Sequence, residues 1–153
     1  MAALLEIDRL TVRLPIEGQL RTVLHDVSLH VDAGEAVGLV GESGAGKSMT
    51  ARAAARLLPQ GAETEGAIRL DGADVLAAEG RRLRSLRESV GVVFQDPRAH
   101  VNPVRRIGDF MTEALRTNHG VGGREAQRRA VRLLAEVGIP DGERRLHQYP
   151  HEL

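Results

Sequence analysis

Residues 41 to 48 read Gly-Glu-Ser-Gly-Ala-Gly-Lys-Ser, and no other stretch constrains the chain as tightly. The pattern G-x-x-x-x-G-K-[ST] is met by Gly41, Gly46, Lys47 and Ser48. A polyphosphate is gripped by several backbone N–H groups turned into one hollow, and side chains would block its approach. Glycines permit both the backbone angles and the closeness. The flanks suit such a loop. Before it, Ala36-Val37-Gly38-Leu39-Val40 is continuously apolar, which predicts a strand covered on both faces. After it, Lys47 to Leu58 is rich in Ala and Arg, which predicts a helix stopped by Pro59. A helix start also lends its positive end to an anion.

Composition singles out one member of this loop. The chain has 153 residues with 21 basic and 21 acidic groups, and Lys47 is the only Lys among the basic ones. A compact ammonium fits a phosphate cradle that a planar guanidinium would fill badly. Ser48 offers a hydroxyl to a magnesium ion. The candidate cradle is therefore Gly41, Glu42, Ser43, Gly44, Ala45, Gly46, Lys47, Ser48 and Met49.

Other classes are set aside by what the chain lacks. Zero net charge excludes a generally basic nucleic-acid coat and a polybasic membrane anchor. The only Phe and Tyr residues are Phe94, Phe110 and Tyr149, and there is no Trp, too few rings for a base-stacking platform. Without Cys there is no disulfide framework or thiolate metal site. Met1 to Leu10 does not read as a secretory signal, and the apolar stretches are too short to span a bilayer. A membrane role must come through a partner.

The remaining pattern predicts a β-rich first part and a helical second part. Leu4 to Val12 reads as a short strand carrying Leu5, Ile7, Leu10 and Val12 among polar residues, and Val27 to Val31 alternates as a half-buried strand. Gly66 to Leu70, Asp71-Gly72 and Ala73 to Leu76 read as a hairpin. Gly80 to Ser89 reads as a basic helix, and Val90-Gly91-Val92-Val93-Phe94 as a second buried strand. Ile107, Phe110, Met111, Ala114 and Leu115 form one helical stripe. Ala130, Leu133, Leu134 and Val137 form another, closed by Gly138 and Pro140. Residues 1–80 hold 7 basic and 12 acidic groups, whereas residues 81–153 hold 14 and 9. Solvated helix faces account for such a division, and a docking surface for another protein is the functional alternative.

Residues 91 to 103 read Gly-Val-Val-Phe-Gln-Asp-Pro-Arg-Ala-His-Val-Asn-Pro. Together with GESGAGKS, this resembles the ATP-binding subunits of ABC transporters, most closely the dipeptide, oligopeptide and nickel importer group. The closing Tyr149-Pro150-His151-Glu152-Leu153 is similar to the stretch that enters that family's signature motif. The resemblance implies an α/β P-loop NTPase of ABC type, with a parallel-sheet core, an antiparallel β subdomain and a helical subdomain. It implies a nucleotide-binding domain divided at residues 1–96, the β subdomain and part of the ATP-binding core, and 97–153, part of the helical subdomain. Residues 41–49 become the Walker A loop. Gln95 becomes the Q-loop glutamine, the catalytic candidate, touching magnesium and its water and relaying nucleotide state. Ser48 and Gln95 would share the magnesium. ATP and Mg are the implied cofactors. Transmembrane permease subunits and a second nucleotide-binding subunit are the implied partners. The implied place is the cytoplasmic face of the membrane, held peripherally, and the implied work is import of peptides or nickel.

Two departures from the family pattern follow from the same residues. Leu153 aligns with the first signature residue, so the Ser-Gly-Gly run, the Walker B aspartate, the catalytic glutamate and the switch histidine are not in this sequence. The chain reads as an N-terminal portion, and the alternative function is a hydrolysis-incompetent nucleotide-binding or regulatory module. The stretch Leu14 to Leu24 has no ring to stack on adenine. A different P-loop enzyme, such as a small-molecule kinase, is disfavoured by the Phe94 to Pro103 motif.

Lesser candidates read more plainly. Pro150 breaks the helix that would make His147 and His151 a metal pair. Asp96 reads as a cap for a helix after Pro97. Arg81, Arg82, Arg84 and Arg87 read as a solvated face, and Ser43 has no companion base to make it a nucleophile.

Overall fold

The structure, a computed structural model, describes residues 3–96 and 100–152. It divides into two compact units, residues 1–92 and 93–153.

The first unit is built on a four-stranded antiparallel sheet of β1 (Leu5–Ile16), β2 (Gln19–Val31), β3 (Glu63–Leu70) and β4 (Ala73–Asp74), in the order β2-β1-β3-β4. Two tight turns set its register. Asp71-Gly72, with φ of 48° and 73°, joins β3 to β4 as the sequence predicts. Glu17-Gly18, with φ of 53° and 77°, joins β1 to β2 by the same left-handed device. β4 stops at Asp74, short of the predicted Leu76, because the Asp74 carboxylate accepts the Ala77 N–H and turns the chain.

Bulges then decide which side chains are buried. The β1–β2 register shifts between Ile7 and Leu10 and again between Leu10 and Val12. The interrupted ladder is closed by side chains. Arg9 N–H donates to Ser28 Oγ at 2.9 Å, and Asp26 N–H donates to Thr11 Oγ1 at 3.2 Å. Because of the extra residue, Ile7, Leu10 and Val12 all reach the core, with Leu24, Ala53, Ile68 and Val75. Gly66 faces the same irregularity with φ of 89°. A Cβ there would strike the carbonyl oxygens of Asp8 and Arg9, so only glycine fits. Arg13 and Glu65 tie β1 to β3 at 2.6 Å, and this hydrogen bond holds the Glu65 carboxyl below the usual carboxylate range.

α1 (Lys47–Ala54) and α2 (Gly80–Glu88) complete the unit. α1 ends four residues before the predicted Leu58. Arg56 adopts φ of 56°, Arg56 N–H donates to Ala53 O, and Leu57 N–H donates to Arg52 O. That is a Schellman stop with Arg where glycine is usual, so the sequence carries no sign of it.

The two apolar runs predicted as buried strands are a correction. Neither Ala36–Val40 nor Val90–Phe94 pairs with any described residue. Val40 is 97% exposed and Val93 95% exposed. A strand exists only where a neighbour accepts its ladder bonds, and the described residues supply no such neighbour.

In the second unit, α3 (Ile107–Thr117), α4 (Gly123–Glu136) and α5 (Gly142–His147) pack on one another, followed by a 3₁₀ turn at Pro150–Glu152. Its core is Ile107, Ala130, Leu134 and Leu146, with Met111 and Val131 against it. The buried stripes are rotated from those predicted. Phe110, Leu133 and Val137 are 45%, 51% and 70% exposed, and Ala114 is exposed too. Gly108, Thr112 and Ala126 are buried in their place. Small residues win because the backbones come close: a Cβ on Gly108 would lie 2.8 Å from Leu146 O. α4 ends as predicted, with Gly138 at φ of 78° in a Schellman stop. Gln148, extended at φ −80° and ψ 160°, separates the helix of His147 from the turn of His151, so the two histidines do not share a helix.

Candidate functional site

The loop 41–48 sits immediately ahead of α1, and its geometry comes from glycine. Gly44 and Gly46 take φ of 86° and 87°, a left-handed region that other residues enter at a cost. Gly46 is the residue that caps α1. Behind it stands β2: a Cβ on Gly46 would strike Leu24 Cδ2 and approach Val23 O at 3.5 Å. At Gly44, by contrast, a Cβ would meet no atom within 4 Å. One glycine is needed for packing, and the other leaves open space on the loop's outer side.

Lys47 is the first residue of α1. Its ammonium turns back over the loop and donates to Gly41 O at 2.7 Å and Glu42 O at 2.6 Å. Glu42 O also accepts the Ala45 N–H at 3.2 Å. The loop is thus curled round its own cation. Gly46 O accepts both the Thr50 N–H, at 2.9 Å, and the Thr50 hydroxyl, at 3.1 Å. Thr50 is buried, so it locks the first turn to the loop from below. The first turn holds no acidic residue, so the positive end of the helix is left uncompensated.

The remaining candidates fall as follows. Glu42, Ser43, Gly44, Ala45 and Ser48 are exposed, whereas Met49 packs against the sheet core. Gln95 is exposed at a bend in the second unit, next to Phe94, whose ring meets His100 edge-on at 3.8 Å. Pro97 and Leu153, which complete two of the motifs, lie outside the described residues, as does the start of the helix that Asp96 is expected to cap. Sequence reasoning did not find Leu24 or Thr50. Leu24 has no signal, because its role depends on β2 passing behind the loop. Thr50 carries a weak one, a hydroxyl one turn into a helix.

The residues present fit a polyphosphate. The loop has open space over Gly44, a row of small residues, an uncompensated helix start, and a cation whose present partners are neutral carbonyls that an anion outbids.

Comparison with known proteins agrees with this geometry. A solved ATP-binding cassette, described as a dimeric post-hydrolysis state bound to ADP and Pi, superposes with a TM-score of 0.78 over 97% of this chain and 62% of its own, at 22% identity. That likeness establishes the α/β P-loop fold of ABC type. A Brucella abortus (strain 2308) protein, named for peptide import and ATP binding, is 42% identical over 99% of this chain. The oligopeptide transport ATP-binding protein OppD of Mycobacterium tuberculosis is 41% identical over the whole chain. The Escherichia coli protein DdpD, named for D,D-dipeptide transport and ATP binding, is 46% identical over 85% of it. The chain spans 46% of the Brucella relative and 25% of OppD. Among the described residues no helix is long and apolar enough to cross a membrane. The family model described as ABC transporter matches residues 24–153, and the chain belongs to that family.

Proposed function

We propose that residues 41–49 bind the triphosphate of ATP and that the whole protein uses its hydrolysis to drive peptide import. The observation that carries this is the curled loop itself, with Gly46 left-handed ahead of α1 and the Lys47 ammonium drawn over Gly41 O and Glu42 O. Bound there, ATP supplies the phosphoanhydride, and Mg neutralises its charge. Lys47 exchanges neutral carbonyl partners for anionic oxygens. The backbone N–H groups of the loop hold the phosphates, and the Ser48 hydroxyl, in the first turn of α1, is a ligand for the magnesium. Gln95 is the second magnesium candidate and the relay to the helical portion.

In this reading residues 1–96 supply the β subdomain and part of the ATP-binding core, and residues 97–153 part of the helical subdomain. The names of the relatives favour peptide over nickel as cargo. Permease subunits and a second nucleotide-binding subunit are the partners. The protein is held at the cytoplasmic membrane face through them. The chain's own contribution is the phosphate grip. Titration with fluorescent ATP, with and without Mg, tests this directly, and a phosphate-release assay run in parallel separates binding from turnover. Saturable, Mg-strengthened binding supports the reading. No binding by a folded chain overturns it.

A further inference from the structure

The second unit carries a groove that the phosphate site does not use. It lies between α4 and α5 and encloses about 680 Å³. Its floor is apolar, formed by Val131 and Leu146. Along its rim run Arg124, Arg128 and Arg132, spaced four residues apart on α4. Residues at this spacing share one helix face.

These arginines are not equivalent. Glu125 accepts from Arg128 at 2.8 Å and from Arg129 at 2.9 Å, so one carboxylate is already shared by two cations. Arg124 and Arg132 have no carboxylate within ion-pair distance among the described residues. At 1.5 Å of rise per residue they stand about 12 Å apart along α4. Among the described residues that line the groove, the one acid on α5 is Glu143. Two free guanidiniums at the ends of an apolar floor select a ligand of matching shape: two carboxylates about 12 Å apart with an aliphatic group between them.

We propose that this groove docks an acidic, helical segment of a partner protein, its carboxylates two turns apart meeting Arg124 and Arg132 and an aliphatic side chain resting on Val131 and Leu146. A helix repeats that carboxylate spacing with residues i and i+8, and its intervening i+4 position faces the floor. Specificity comes from the separation of the two charges. The docking surface is independent of the phosphate loop.

The test uses the full chain and a fluorescein-labelled helical peptide of 15 or so residues with Glu at i and i+8 and Leu at i+4. Binding is read by anisotropy. The Glu peptide binds, and its Lys counterpart does not. Arg124→Glu with Arg132→Glu weakens it at least about tenfold, whereas Arg81→Glu with Arg82→Glu, the same total charge change in the other unit, leaves it within about twofold. Glu143→Gln tightens binding, and this variant decides the matter if the double variant loses its circular-dichroism signal. Equal binding of both peptides, equal loss in the Arg81→Glu, Arg82→Glu control, or no change in Glu143→Gln overturns the proposal. So does displacement of the peptide by millimolar inorganic phosphate, which marks a small-anion site. Binding to phosphatidylserine vesicles without binding to the peptide marks a membrane surface and overturns it equally.

Discussion

The two units bury their interiors by opposite means. In the sheet the buried residues are the large ones the sequence advertises: Leu10, Val12 and Ile68 are fully enclosed. In the helical unit several of the large ones stay outside, and the close contacts fall to Gly108, Ala126 and Ala130. The difference teaches where each kind of element gets its instructions. A strand's face is fixed by ladder register, so the apolar residues of β1 and β3 pass into the core once the bulge between Ile7 and Leu10 has reset the alternation. A helix can roll about its axis, and the neighbour that comes closest decides which stripe is covered. Here α5 comes close over Gly108.

The largest effect is expected in the sheet. Ile68→Ala empties the middle of a closed core and destabilises by about 2–5 kcal/mol, measured by urea unfolding. A loss no greater than that of a surface substitution would break the contrast. Next, Gly108→Val pushes a branched side chain into the Leu146 backbone and costs about 1–3 kcal/mol in the helical unit. If the variant were as stable as the parent, the close approach of α3 and α5 would be wrong. Leu133→Ser, at a position the periodicity marks as core, changes stability by no more than about 0.5 kcal/mol. A core-sized loss there would restore the unrotated stripe.

The smallest effect is electrostatic. Hydrogen bonds from Arg129 and then Arg128 hold the Glu125 carboxyl below its ordinary value of 4.5. A carboxyl lowered by folding stabilises above its unfolded value, and that contribution disappears as pH falls through the folded one. Glu125→Gln therefore flattens the acid limb of the stability profile below about pH 4.5. The three side chains are all partly open to solvent, which screens the interaction, so the change is slight. An identical acid limb in parent and variant would remove the interaction from the account.

Much of this was legible in the residues. The phosphate-type loop, the hairpin at Asp71-Gly72, the basic helix after Gly80 and the Gly138 stop are local events, each written in a few neighbouring residues. What could not be read depended on distant chain. Glu17-Gly18 lacks the Asn or Asp that marks such a turn most strongly. The stop at Arg56 places a side chain where glycine is the usual sign. The wall that Leu24 raises behind Gly46 exists only because β2 returns to that spot. The runs 36–40 and 90–94 show the same rule from the other side. Their apolar residues specify a demand for neighbours, and the residues that satisfy a demand are written elsewhere.

The phosphate grip is tested most directly by nucleotide titration of Lys47→Ala beside the parent chain, with circular dichroism as the check on folding. Among the described residues Lys47 bonds only to two carbonyls of its own loop. The variant therefore keeps its helix and sheet signal while its affinity for ATP falls below detection. A folded variant that binds ATP as tightly as the parent would contradict the account at its centre.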